Sequence, residues 1–180
     1  MFLSLLLFSL ALSAEGPKSI SPSPLVAVNQ PGAAGVPTWF STLTYFKHGD
    51  SDNIAQIYVS GVIGTPYPSK PGPPTLVPGG IANQTAQALT NIVSAIQFGF
   101  TKAFPNAPPS DNLDFRRAIA KCRVYQGHIS SSDANLFEKT YADFFDGIAP
   151  PARVAFQGAQ LVIDAAVELE CDAVVQEQYA

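Results

Sequence analysis

The placement of proline is the feature that most constrains how this chain can fold. Eleven of its 16 prolines precede residue 80, and the other five stand in two groups, at Pro105–Pro109 and Pro150–Pro151. A proline ring removes a backbone N–H and cannot continue a helix interior or a central strand. The prolines, together with Gly127 and the serines at 130–132, therefore divide the chain into apolar segments at 36–64, 81–104, 111–125, 130–148 and 151–176.

Four of these segments show helical periodicity. Apolar residues recur every three or four positions in 81–104 and 111–125, which places them on one face of a helix. Ser130 to Asp133 gives a helix start signal, and 151–176 is apolar around most of its circumference, as a buried central helix is. The sequence therefore predicts a mainly α fold, a four-helix-like bundle with an irregular proline-rich N-terminal portion.

Two shorter segments fit either a helix or a strand. Residues 38–46 and 54–63 combine β-branched and aromatic residues, which favours strands, with spacings that also suit short helices. We favour helices there because the rest of the chain shows helical periodicity. The intervening residues 66–80 read as a semi-rigid proline-rich linker within one helical domain of residues 36–180.

The N-terminus has the pattern of a secretory signal peptide over residues 1–14. An apolar core at Phe2–Leu12 leads to the small residues Ser13 and Ala14. That core is shorter than the roughly 20 apolar residues that span a membrane. We expect a secreted, extracellular protein in which residues 15–35 form an extended proline-rich arm.

The two cysteines predict a disulfide bond. In an exported chain Cys122 and Cys171 most simply pair with each other, although an intermolecular bridge or two buried thiols fit the same sequence. Closing the loop between them would stabilise the fold by about 4 kcal/mol. Export also makes Asn83, in the sequence Asn-Gln-Thr, a glycosylation candidate.

Charge and motif content exclude several classes of function. Charged residues make up only 13% of the chain and the net charge is −4, without a basic stripe to neutralise phosphates. We therefore expect neither nucleic acid nor a membrane as partner. The sequence lacks a catalytic motif, and neither histidine has a second histidine or a cysteine four residues on. The row of Asp164, Glu168 and Asp172 reads as a solvated acidic helix face, so no metal and no cofactor is predicted.

These features predict a secreted, non-enzymatic structural or interaction protein. Its partner would be another extracellular protein or a second copy of the chain. An alternative is an extracellular carrier of small apolar ligands in a helical-bundle cavity, and another is a secreted inhibitor or effector. The aromatic residues that we expect to line such a cavity are Phe100, Phe115, Phe137, Phe144 and Phe156.

Overall fold

The described part of the chain folds as a mixed sheet with two α-helices. A computed structural model describes residues 25–33, 41–48, 53–67, 73–107 and 112–177. The strands are β1 (Val26–Val28), β2 (Leu43–Lys47), β3 (Ile54–Ile63), β4 (Ile119–Gln126), β5 (Ala152–Phe156) and β6 (Val167–Gln176). The α-helices are α1 (Gly80–Ala103) and α2 (Ser131–Phe144), and a 3-10 helix at Phe115–Ala118 precedes β4. Neither α-helix has the length and apolar character needed to cross a membrane.

The six strands lie in the order β1-β2-β3-β6-β4-β5. Neighbouring strands are antiparallel except β4 and β5, which are parallel. The chain joins β4 to β5 through α2, as a parallel pair requires. Helix α1 packs against β2, β3 and β6, and α2 packs against α1. The core lies between these helices and one face of the sheet.

Side chains alternate between the two faces of the sheet. On β6, Val167, Leu169 and Cys171 are buried beneath the helices, whereas Glu168 and Glu170 point to the opposite face. No described helix covers that opposite side. We call it the outer face; its members include Thr44, Phe46, Gln56, Tyr58, Lys121, Arg123, Tyr125, Val154, Phe156, Glu168, Glu170, Asp172 and Val174.

The predicted four-helix-like bundle is wrong. The expected helix at 111–125 is the short 3-10 helix followed by β4, and the expected central helix at 151–176 is β5, a loop and β6. Of the ambiguous segment 38–46, residues 43–46 belong to β2 and residues 38–40 lie outside the described residues, and the ambiguous segment 54–63 is β3. The helices that we favoured at these two places are therefore wrong where the structure describes them. In each case the β-branched residues pack best on a pleated surface, where their branched side chains lie against neighbouring strands.

The helices predicted within 81–104 and 130–148 are confirmed. Helix α1 ends at Ala103, just before Pro105. Helix α2 begins with a capping box, in which the Ser130 hydroxyl accepts from the Asp133 backbone N–H and the Asp133 carboxylate accepts from the Ser130 backbone N–H.

The predicted N-terminal segments fall partly outside the described residues. The signal peptide at 1–14 lies wholly outside them. Within the predicted arm, Val26–Val28 forms the edge strand β1 and pairs with Leu43–Tyr45 of β2.

Candidate functional site

Strand β5 brings an arginine to an exposed edge of the sheet. All five of its residues are exposed, and it pairs only with β4 in the described part of the chain. Arg153 is paired with Cys122, a buried residue of β4, so the two share the helix-covered face. The Arg153 side chain therefore extends from the sheet edge toward α2.

Helix α2 provides an aromatic and acidic setting for this arginine. The guanidinium carbon lies 4.7 Å from the centroid of the Tyr141 ring and 5.3 Å from that of Phe137. Nη2 donates to both carboxylate oxygens of Glu138, each at 2.8 Å. Tyr141 is a neighbour of both other residues on the surface of α2, because it follows Phe137 by four positions and Glu138 by three. Together they hold the planar cation in one orientation.

Much of the hydrogen-bonding capacity of Arg153 is unused. Within the described ranges, no side chain or backbone oxygen accepts a hydrogen bond from its Nε or Nη1. A quarter of the side chain is exposed. A guanidinium presents five N–H donors in a fixed fork that matches a carboxylate. The free edge of Arg153 is therefore suited to a small anionic group.

Tyr141 lies beneath the guanidinium and is almost completely buried. Its hydroxyl makes no hydrogen bond to any other residue that the structure describes. Burial raises the pKa of Tyr141 to about 12, and the Glu138 charge acts in the same direction while Arg153 opposes it. The phenol is therefore neutral at physiological pH and supports the cation through its ring.

A second group of charged residues lies on the outer face. Burial raises the pKa of Glu168, and the neighbouring Glu170 carboxylate adds to the rise. Arg123 contacts Asp172 at 3.3 Å and Glu170 at 3.8 Å. Glu168 instead lies against Gly61, whose missing side chain leaves room for the carboxylate. Glu168 is thus the carboxylate of β6 that Arg123 does not pair with.

The two cysteines are joined to each other. Cys122 and Cys171 face each other on the antiparallel strands β4 and β6, and their sulfur atoms are bonded. Both are completely buried on the helix-covered face. The described residues include no free cysteine. The disulfide therefore links two neighbouring strands of the sheet. Cys122 is also the residue of β4 that lies opposite Arg153 of β5.

Asn83 lies in the first turn of α1 and is exposed. Its Nδ2, the atom that a glycan would modify, donates to the Pro78 carbonyl oxygen at 2.8 Å. Glycosylation at this position stays a prediction.

The five phenylalanines expected to line one cavity do not lie together. Phe100 and Phe115 line a cavity of about 350 Å³ at the C-terminal end of α1. Phe137 is fully buried in the core, Phe144 is at the end of α2, and Phe156 is half exposed on β5. Apolar-ligand binding by Phe100 and Phe115 stays a prediction for this cavity.

A smaller cavity of about 90 Å³ lies near β2 and the end of β3. Its buried polar groups are bonded to one another: Asn91 donates to the Thr65 carbonyl oxygen, and the Gln30 backbone N–H donates to the Thr42 hydroxyl. The first bond holds the loop after β3 against α1, and the second holds the chain after β1 beside the start of β2.

No three metal-ligating side chains come together in the described parts of the chain. Between β2 and β3, the polar residues 48–53 are described only at His48 and Asn53. The acidic row predicted on a helix is instead split by the strand geometry. Asp164 lies in the loop before β6, whereas Glu168 and Asp172 lie on the outer face.

Arg153, Glu138 and Tyr141 were not recognised as a site from the sequence. Arg153 and α2 are separated by a loop, and their contact depends on the parallel pairing of β4 and β5. The available local signal was the segment Ala152–Phe156, in which one arginine interrupts a short β-prone run after two prolines.

Comparison with known proteins places this fold in a family. The model of the family described as endoribonuclease L-PSP matches residues 46–175, and the chain belongs to that family. No curated protein sequence matches significantly.

Several solved structures share the fold. The yeast protein YEO7 is 22% identical with a TM-score of 0.60, covering 85% of this chain and 100% of its own. YyfA of the Rid family, from Yersinia pestis, is 23% identical with a TM-score of 0.60, covering 84% and 100%. TdcF from E. coli, solved with bound serine, is 20% identical with a TM-score of 0.56, covering 83% and 98%.

Family membership also corrects the predicted function. A secreted structural or interaction protein, a helical-bundle carrier or an inhibitor was expected because no catalytic motif is visible. The matched family instead takes its description from an endoribonuclease, and the fold is the α+β fold of Rid proteins. The residues of the candidate site, Glu138, Tyr141 and Arg153, come from a helix and a separate strand, so no contiguous sequence motif contains them.

Proposed function

We propose that this protein binds a small amino-acid-like metabolite through Arg153 and acts on it as a deaminase-type enzyme. The observation that carries the proposal is the guanidinium itself. It is held over Tyr141 by Glu138, at an exposed sheet edge, with Nε and Nη1 unused within the described residues. A charge-assisted pair between this fork and a ligand carboxylate would be strong and directional.

Two findings on relatives support this ligand class. TdcF was solved with bound serine, a molecule that carries a carboxylate and an ammonium group. Members of the family are also often deaminase-like. In hydrolytic deamination, water adds across a C=N bond; a carbonyl group forms and ammonia leaves. A substrate with that bond beside its carboxylate would be oriented by Arg153.

Endonuclease activity is the alternative that the family description raises. The charge of this chain disfavours it, since a net charge of −4 offers little attraction to a phosphate backbone. Neither histidine belongs to the group around Arg153, so that group lacks the commonest general base for RNA cleavage.

Self-association is the partner that we propose. The outer face holds two aromatic stacks, Tyr125 with Phe156 and Phe46 with Tyr58, that no described helix covers. Proteins of this family are often homotrimers. A second copy placed against this face would bury these rings.

We also propose that the protein is exported. The apolar segment at Phe2–Leu12 supports this, and so does the buried disulfide between Cys122 and Cys171, a bond that persists mainly in oxidising compartments. N-terminal sequencing of the protein recovered from the medium of its producing cells tests the proposal. A protein that stays in the cytosol with Met1 or Phe2 at its terminus contradicts it.

Isothermal titration with L-serine tests the binding function. Replacing Arg153 by lysine keeps the charge but removes the fork, and we expect affinity to fall by about tenfold to a hundredfold. Arg117→Lys is the matched control, because Arg117 is a largely exposed arginine away from α2. Equal binding by both variants would contradict the proposal.

An ammonia-release assay on imines of small amino acids tests the catalytic part. It also decides the sequence-based prediction that the chain is not an enzyme. Cleavage of RNA in the absence of ammonia release would support the endonuclease alternative.

A further inference from the structure

We infer that the cavity at the C-terminal end of α1 is a second binding site. It takes an amphipathic carboxylate, with the head group on Arg117 and the apolar chain inside. The cavity lies between α1, the 3-10 helix before β4 and the end of β6. None of the described residues that line it belongs to α2 or β5. The inference is therefore independent of the function proposed for Arg153.

The first step concerns the walls of the cavity, which are apolar. Phe100 and Phe115 are buried, and their ring centroids lie 5.4 Å apart with the ring planes tilted by 59°. Val175 of β6 is buried beside them. An apolar chain that replaces water against such walls is stabilised by the hydrophobic effect. Because Phe115 and Arg117 belong to the same 3-10 helix and line the same cavity, a ligand held by Arg117 places its chain beside Phe115.

The second step concerns size and access. The cavity has a volume of about 350 Å³, within the range of about 300–1,000 Å³ that small-molecule sites occupy. Packed protein interiors leave few spaces larger than a water molecule. A space of this size between packed elements therefore indicates a ligand site. Asn112 and Arg117 also line it and are exposed, so the cavity opens to solvent.

The third step concerns two consecutive arginines that differ in their bonding. Arg116 is fully engaged: its Nε and Nη2 donate to the Asp114 carboxylate at 2.8 and 2.7 Å, and its Nη1 donates to the Phe144 carbonyl oxygen. The Arg117 side chain donates no hydrogen bond to any described residue, and its Nε lies 3.9 Å from the Asp114 carboxylate. It is 66% exposed. Its five N–H donors, in a fixed fork, are therefore available to a carboxylate.

The fourth step concerns the charge of the head group. Among the described residues that line the cavity, Asp114 alone is acidic. The Arg116 guanidinium beside it holds the pKa of Asp114 below its usual range, so this carboxylate is ionised and already paired. Asp114, Arg116 and Arg117 together carry one net positive charge. A carboxylate neutralises that charge, whereas a phosphate monoester, with about 1.5 to 2 negative charges at neutral pH, exceeds it.

The experiment titrates the full chain with butyrate, hexanoate and octanoate in a calorimeter. We expect affinity to rise by about fourfold for each added methylene until the cavity is filled, as the burial of apolar methylenes predicts. 1-Hexanol has the chain of hexanoate without its charge. It should bind about tenfold more weakly than hexanoate, because it cannot form the charge-assisted hydrogen bonds. Equal affinity for butyrate and octanoate would overturn the inference.

Arg117→Gln tests the head group. It should weaken hexanoate binding by about tenfold and leave 1-hexanol binding unchanged. Arg153→Gln is the matched control, because it removes the same charge at the edge of the sheet, away from the cavity. It should leave hexanoate binding unchanged. If Arg153→Gln abolishes hexanoate binding and Arg117→Gln does not, the carboxylate binds at Arg153 and the inference is overturned.

Ala118→Leu tests the cavity, because it adds a larger side chain to one of its walls. It should abolish the gain in affinity from hexanoate to octanoate. Ala142→Leu, at an exposed position of α2, makes the same change away from the cavity and should keep that gain. Because the Arg117 side chain is largely exposed, the Arg117→Gln test holds even if Ala118→Leu lowers stability.

The outcomes are separate from those of the proposed function. If the wild-type protein binds none of the three carboxylates, or if its chain-length dependence is the same in Ala118→Leu, the second site is overturned. Binding of L-serine at Arg153 is measured in its own titration, so the proposed function stands or fails independently.

Discussion

The Arg153 guanidinium lies 4.7 Å above the ring of Tyr141, whose own hydroxyl is buried without a hydrogen bond to any described residue. The contribution of Tyr141 at this position therefore comes from its aromatic face. Cation–aromatic contacts of this kind contribute about 0.5–2 kcal/mol, depending on how far water is excluded.

Tyr141→Phe should change the free energy of unfolding by no more than about 1 kcal/mol, because it removes a buried hydroxyl and keeps the ring. Tyr141→Leu should weaken both the fold and serine binding. Urea unfolding and serine titration of the two variants check this. A large loss of stability in Tyr141→Phe would show that the hydroxyl has a partner.

The same substitution should alter behaviour at alkaline pH. Because burial raises the pKa of Tyr141 to about 12, the folded state favours the protonated phenol. Stability from this group is present below about pH 10, the pKa of an unfolded tyrosine, and is lost as pH rises toward 12. The wild-type protein should therefore lose more stability over this range than Tyr141→Phe. Parallel pH profiles of the two proteins would contradict the assignment.

Glu168→Gln should stabilise the protein at neutral pH. The pKa of Glu168 is raised in the folded state, so folding favours the protonated carboxyl. Folding stability from this group is therefore lost as pH rises through the folded-state pKa and the carboxyl becomes charged. The substitution should have little effect below about pH 4, where the unfolded residue is also protonated. Glu177→Gln, near the end of β6, serves as control. The account fails if Glu168→Gln lowers stability at neutral pH.

The disulfide should make a large contribution to stability. Replacing both Cys122 and Cys171 by alanine should lower the free energy of unfolding by about 2–5 kcal/mol. Because both residues are fully buried, a reductant should attack the native protein slowly and the unfolded protein rapidly. Unfolding curves with and without reductant measure the difference. A decrease in the free energy of unfolding of less than about 1 kcal/mol would contradict this prediction, because the disulfide would then contribute little to stability.

Self-association should depend on the outer face. Phe156→Asp should reduce the oligomer seen by sedimentation velocity, because it places a charge in the proposed contact. Leu136→Asp is matched in exposure, at 48% against 50% for Phe156, but lies on α2. It should leave the oligomer intact. If the Leu136 variant dissociates and the Phe156 variant does not, association uses the helices instead.

How much the sequence could predict depended on the kind of periodicity. Helix α2 was predictable because Ser130 and Asp133 form a local capping signal. Strand β6 was not, because a spacing of four is both a helical repeat and an even number. Glu168 and Asp172 thus share one face of a helix and also one face of a strand. The alternation of Val167, Leu169 and Cys171 was the better guide.

The candidate site could not be predicted because its parts meet only through topology. Glu138 and Tyr141 were assigned to the correct helix, but Arg153 was placed in another helix. Its contact with α2 requires that β5 pair in parallel with β4 at the sheet edge. That pairing joins residues from opposite ends of a βαβ unit, and local periodicity carries no information about it. The cysteine pair was simpler, since a chain with two cysteines has one intramolecular pairing.

The central claim is that a small zwitterion binds at Arg153. Amide chemical shifts of the labelled protein, followed by NMR during titration with L-serine, test it most directly. The account predicts saturable shifts centred on residues 137–141 and 152–154, and their loss in Arg153→Lys. Shifts centred instead on the cavity of Phe100 and Phe115, or no saturable shifts, would contradict it.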